Sequence, residues 1–154
     1  IILFGHSAGG QFVHRWALLG GKKNVDVIAV ANSGWFTMPD RDIDYPYGIK
    51  NVGITDEELG EAFAKPVILF MGEKDVERKP PFRDTPEADA QGMNRMERCT
   101  NYFRQCKAKA EELRVPFRWK LETVEGAAHQ GVKMAEGAAA YIFGKSSEDR
   151  NRRV

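Results

Sequence analysis

Three side chains of different chemistry stand far apart in this sequence, each in a setting that would expose it. Ser7 lies at the centre of Gly5-His6-Ser7-Ala8-Gly9, a G-x-S-x-G pentapeptide. Asp75 closes Gly72-Glu73-Lys74-Asp75, and His129 sits within Gly126-Ala127-Ala128-His129-Gln130. A serine hydroxyl is a weak nucleophile until a base takes its proton, and the base needs a carboxylate to orient it. Serine, acid and histidine in that chain order point to acyl-transfer chemistry, with Ser7 as nucleophile, His129 as base and Asp75 behind it. Glu73 and Glu77 compete for the acid's place; the short acid held beside a strand end is preferred. Of the 3 histidines, His14 falls mid-helix and reads as a packing or surface residue. His6 flanks the serine, points away from its hydroxyl and shapes the pocket or packs. His129 is left as the base.

These residues need a scaffold that brings distant loops together, and the hydrophobic pattern supplies one. Residues 1–5 form a short apolar run ending at a glycine, as a buried parallel strand would. Residues 8–19 follow as a helix with Phe12, Val13, Trp16 and Leu19 apolar and Gly20-Gly21 as its stop. Residues 25–31, 66–71 and 117–124 are three more strands, the last alternating apolar and polar as an edge strand with one wet face does. The longest helix is expected over 91–114, with Met96, Cys99, Phe103, Cys106, Ala110 and Leu113 as its apolar stripe. Its remaining faces, Arg95 and Arg98 among them, read as solvated. An alanine-rich helix over 130–143 and a frayed tail over 145–154 close the chain. Strands alternating with helices define an α/β fold, a parallel sheet flanked by helices in three layers. Ser7, Asp75 and His129 each follow a strand, where parallel sheets place their sites.

The elbow around Ser7 requires small neighbours, which Gly5 and Gly9 provide. Its turn aims the hydroxyl at a helix N-terminus, where the Ala8 N–H can donate to a developing oxyanion. The segment 35–64 breaks the alternation and reads as a lid or pocket insertion in an otherwise single domain over 1–144. Its Trp35, Phe36, Tyr45 and Tyr47 are candidate walls of an apolar substrate pocket. Thr55-Asp56-Glu57-Glu58 within it is a capping box that opens a short helix.

With GHSAGG at 5–10, GEKD at 72–75 and GAAHQ at 126–130, the chain resembles the α/β-hydrolase superfamily from its nucleophile strand onward. More narrowly, it is similar to bacterial-type esterases and polyester-depolymerase-like hydrolases, through Tyr45-Pro46-Tyr47-Gly48 and Thr85-Pro86-Glu87-Ala88. The resemblance implies an eight-stranded, mostly parallel sheet of which this chain supplies the last four strands. It also implies ester cleavage through an acyl-enzyme, and a second oxyanion donor from a loop after the third strand of the family.

The chain has 154 residues, 42% hydrophobic and 29% charged, the composition of a globular domain. A formal net charge of +1 gives no bias toward nucleic acid or an anionic membrane surface. No apolar run approaches the roughly 20 residues that span a bilayer. Cys99 and Cys106 lie too far apart on one helix for a disulfide. No cofactor is implied, and the histidines and cysteines lack the paired spacing of metal ligands. Gly144-Lys145-Ser146-Ser147 superficially suggests a phosphate loop, but it follows a helix and Ala139 stands where the first glycine belongs. The start on a bare apolar strand leads us to expect a chain truncated at its N-terminus, whose first strand would pair with a missing half or self-associate. The rival readings are a catalytically impaired fragment acting as a binding module, and an acyltransferase or peptidase on the same fold.

Overall fold

The computed structural model describes residues 1–20 and 24–151, with side chains up to residue 144. Four strands form one parallel sheet in the order β1 (Ile2–His6), β2 (Val27–Ala31), β3 (Val67–Gly72), β4 (Lys120–Val124). The pairing is in register from Ile2 opposite Val27 through Gly72 opposite Val124. Side chains alternate across a strand, so each strand is split between two cores. Ile28, Val30, Val67, Leu69 and Met71 join the larger core under helices α1 (Ala8–Leu18), α2 (Asp56–Phe63) and α4 (Arg95–Glu112). Ala29, Ala31, Ile68 and Phe70 face the other way, onto Met134 and Ala138 of α5 (Gly131–Asn151).

Element boundaries shift from the expected ones for identifiable reasons. The long helix begins at Arg95 rather than at 91, because the Gln91 side chain is committed to both polar groups of the Phe36 backbone. The Asn94 side chain then accepts the Glu97 N–H at 2.9 Å as the N-cap. A short helix that the pattern did not announce, α3 (Pro86–Asp89), has Thr85 as its cap. The last strand starts at Lys120, since Phe117 and Trp119 pack as rings against Phe63 and the Trp119 indole N–H donates to Ala62 O. α5 runs past Gly144 to Asn151, where a tail was expected; residues 145–151 contain no proline or glycine to stop it. Residues 152–154 of that expected tail lie outside the described residues, as does Gly21 of the expected helix stop.

The segment 35–64 is built into the main core. Phe36, Met38, Ile49, Ile54, Leu59 and Phe63 are all buried there. Its capping box forms as read: Thr55 Oγ1 accepts the Glu58 N–H and Glu58 Oε2 accepts the Thr55 N–H. Its Trp35 lines the cleft at Ser7. β1 lies at one edge of the sheet with Ile1, Ile2 and Phe4 exposed. Among the described residues no helix is long and apolar enough to cross a membrane.

Candidate active site

β1 delivers Ser7 through a turn in which the serine takes φ 55°, ψ −115°. That conformation is costly for a residue with a side chain, and it persists because the elements around it leave no alternative. Ser7 N donates to Ala31 O at the end of β2, and Ser7 O accepts the Gln11 N–H as α1 begins. The crossing is tight at Gly5 and Gly10. A Cβ on Gly5 would sit 2.3 Å from Gly9 O, and one on Gly10 would sit 2.6 Å from Ser33 Oγ and 2.9 Å from Ala31 O. Gly9, expected to be the second small residue, has open space where a Cβ would stand; the close contact falls one residue later. Ala8 opens the helix beside Ser7, so its N–H is one of the first-turn donors without an intrahelical acceptor.

Asp75 and His129 reach Ser7 on two loops that are stitched to each other. Lys74 N donates to Ala127 O at 2.8 Å, and Gly126 N donates to the Glu73 carboxylate at 2.7 Å. Asn32, at the end of β2, donates through Nδ2 to Ala128 O at 3.0 Å and accepts the Gly72 N–H at 2.8 Å. Glu73 is thus occupied in the loop, and Glu77 is exposed and paired with Lys79. Asp75 alone of the three acids meets the histidine: His129 Nδ1 lies 2.7 Å from Asp75 Oδ2. A carboxylate only accepts, so Nδ1 carries the proton and Nε2 is the bare nitrogen. Nε2 lies 2.9 Å from Ser7 Oγ, placed to accept the hydroxyl proton.

His6 packs beside this chain, its ring centroid 4.8 Å from that of His129. Burial, then the neighbouring His129, hold it below the ordinary histidine value. His14 is buried in the core, where Nδ1–H donates to Gly10 O and Nε2 accepts the Thr37 N–H. The cysteines are free and buried; burial pushes Cys99 up to about 12 and Cys106 also upward, which removes both as thiolate nucleophiles. Among the described residues no group of three His, Cys, Asp or Glu is placed to hold a metal ion.

Ser7 and Ala8 line a cleft of about 540 Å³ with Gln11, Trp35, Arg83 and Arg95. Of the four aromatics expected to wall a pocket, Trp35 does so. Phe36 is fully buried and stacked on Tyr102, with centroids 4.5 Å apart, so it belongs to the core. Tyr47 stands behind Trp35, 4.6 Å away ring to ring, and Tyr45 lies on the surface outside the cleft. Two arginines expected on a solvated helix face are buried instead. Arg95 pairs with Asp75, and Arg98 pairs with Asp89 and donates to Gly34 O. Their i, i+3 spacing continues onto Cys99, Tyr102 and Cys106, the stripe that α4 turns inward. That spacing was a readable signal, but the carboxylates that make burial tolerable lie 9 and 20 residues away in sequence. Asn32, Gln11 and Arg83 were likewise unforeseen.

A parallel sheet with helices on both faces and a serine elbow at its C-terminal edge makes the chain α/β-hydrolase-like. No protein-family model and no curated protein sequence matches it. Solved structures do match it, among them two of which the chain spans about half the length. One is poly(aspartic acid) hydrolase-1 from Sphingomonas sp. KT-1, with TM-score 0.87 and 35% identity over 91% of this chain and 53% of that one. The other is LpqC, a poly(3-hydroxybutyrate) depolymerase from Bordetella parapertussis, with TM-score 0.83 and 33% identity over 93% of this chain and 49% of that one.

Proposed function

We propose that the chain carries the nucleophile, base and acid of a serine hydrolase that cleaves carboxylic esters through an acyl-enzyme. The observation that carries this reading is the unbroken hydrogen-bond chain from Ser7 Oγ through His129 to Asp75. Ser7 Oγ attacks the ester carbonyl carbon while its proton passes to His129 Nε2. The Ala8 N–H donates to the oxyanion, a contact worth about 3 kcal/mol where it has been removed elsewhere. Collapse expels the alcohol, which leaves with the proton from His129. Water then attacks the acyl-enzyme by the same route and frees the acid. The test is a fluorophosphonate probe read by mass spectrometry. We expect one adduct, on Ser7, lost in Ser7→Ala; a folded protein that stays unlabelled would sink the proposal.

Arg83 favours a narrower reading of the substrate. Its guanidinium is held over the rings of Trp35 and Tyr47, at 5.1 and 5.6 Å, and Nε donates to the Tyr47 hydroxyl. It lines the cleft beside Ser7 and, among the described residues, pairs with no carboxylate. A fixed cation of this kind suits substrates that bear a carboxylate near the scissile bond. The hydrolase named for poly(aspartic acid) acts on a carboxylate-bearing polymer, joined by amides rather than esters, so it agrees with the charge in this reading and not with the bond cleaved.

A further inference from the structure

We propose that Arg95 is a positioning residue of this site: its guanidinium fixes the orientation and compensates the charge of Asp75, and through Asp75 it sets the His129 ring. The inference rests on the catalytic reading of Ser7, His129 and Asp75 above. Arg95 Nη1 donates to Asp75 Oδ1 at 3.0 Å, while His129 takes the other oxygen, Oδ2, at 2.7 Å. With one partner on each oxygen, the carboxylate cannot rotate without losing a bond. The pair is dry, with Arg95 at 5% and Asp75 at 2% side-chain exposure.

A carboxylate so deeply buried needs more than one hydrogen bond from a neutral imidazole. Removing its charge partner leaves an uncompensated ion, the costly outcome for any buried pair. Among the described residues Arg95 is the one permanent cation within ion-pair reach of Asp75. Three features show that Arg95 is not placed for the helix's own sake. It is the first residue of α4, directly after the Asn94 cap, where a cation opposes the helix dipole. Its Nε is buried without a hydrogen-bond partner, an unmet donor that an arginine pointing to water would avoid. Its stem is long enough to reach solvent, yet the guanidinium is packed 5.0 Å from the Phe82 ring. The geometry accepts these costs and gains a fixed Asp75. Arg95 also lines both the cleft at Ser7 and the depression of about 390 Å³ at His129.

The second-order rate of fluorophosphonate labelling at Ser7 tests this without a known substrate, in a double-mutant cycle of Arg95→Met and Asp75→Asn. Arg95→Met should slow labelling between tenfold and about a hundredfold, the scale of a reacting group misplaced by about 1 Å. Arg95→Lys, which keeps the cation, should recover part of that loss. In the Asp75→Asn background Arg95→Met should cost nothing further, because the residue it acts through is already gone. A general structural role would instead give losses that multiply. The inference is overturned by a folded Arg95→Met protein labelling within twofold of the parent, or by multiplying losses. If Arg95→Met does not fold, Arg95→Lys takes its place in the same cycle. An unlabelled parent overturns the Ser7 reading and this inference together, whereas a labelled parent with an insensitive Arg95 overturns this one alone.

Discussion

Two histidines, His14 in the core and His129 at the sheet edge, hold their rings in the same way and differ in burial and in what they touch. Each carries its proton on Nδ1 and leaves Nε2 as an acceptor. At His14 the Nδ1 proton goes to a backbone carbonyl, Gly10 O, and Nε2 receives a backbone N–H from Thr37. Neither partner can exchange a proton, and among the described residues no anion waits to stabilise an imidazolium. At His129 the same two positions meet the Asp75 carboxylate and the Ser7 hydroxyl, an anion and a transferable proton. The same tautomer is a clamp in one place and a candidate base in the other. The distinction lies in the partners rather than in the imidazole.

The largest expected effect comes from acidifying the protein. Burial, with Arg15 beside it, pushes His14 down to about 3 from 6.5. The unfolded chain therefore binds a proton that the folded chain refuses. The sign follows: the stabilisation from keeping His14 neutral is present in full above about pH 6.5 and is lost as pH falls through the window toward 3. The whole shift corresponds to about 4–5 kcal/mol, at about 1.4 kcal/mol per unit. Urea melts at a series of pH values should show this slope between pH 6 and 4. In His14→Gln, whose side-chain oxygen can still accept the Thr37 N–H, that part of the slope should vanish while neutral-pH stability drops. An unchanged slope would mean that His14 is not the group refusing the proton, and the contrast with His129 would fail on its structural side.

Gly10 joins the two regions, since it lies in the first turn after Ser7 and supplies the carbonyl that His14 binds. Gly10→Ala must push α1 away from Ala31 O and Ser33 Oγ, so we expect a loss of about 1–3 kcal/mol, with Ser7 labelling slowed as well. Gly9→Ala is the counterpart. Its Cβ meets nothing within 4 Å, and replacing a helical glycine should stabilise by roughly 0.5–1 kcal/mol. Thermal melts of the two variants give opposite signs if the tight crossing lies at Gly10. Equal destabilisation would return the role to Gly9, where the G-x-S-x-G pattern puts it.

Much of this architecture was legible because its signals are local. The strand cores alternate between two faces, the Thr55 box caps its helix, and Ser7, Asp75 and His129 each stand just past a strand. Ordering three strand ends along one sheet edge is enough to bring those residues together. What escaped was set by contacts between distant segments. Phe36 and Trp35 are neighbours of similar type, yet one stacks inside the core on Tyr102 and the other faces the cleft. Nothing in their local sequence separates them. Arg95 and Arg98 read as surface charges because their burial depends on Asp75 and Asp89, which only the folded chain brings near. Gln91 was assigned to a helix that its side chain leaves in order to bind the Phe36 backbone.

The smallest effect concerns selectivity at the His129 site rather than its chemistry. Arg83 and Arg15 lie 5.1 and 4.3 Å from the Trp35 ring, but only Arg83 lines the cleft. Arg83 is exposed, so a carboxylate it recognises stays partly hydrated, and the contact is weak compared with a buried pair. We expect the protein to prefer esters whose acyl chain ends in a carboxylate over neutral esters of equal length by about tenfold in kcat/KM, equivalent to about 1.4 kcal/mol. Arg83→Met should erase the preference and leave the neutral ester's rate within twofold, since Arg83 makes no bond to Ser7, His129 or Asp75. Raising the salt concentration should reduce the preference in the parent and have no such effect in the variant. A preference that survives Arg83→Met would move the recognition elsewhere in the cleft, and equal rates for the two esters in the parent would remove the anionic-substrate reading while leaving the Ser7 chemistry intact.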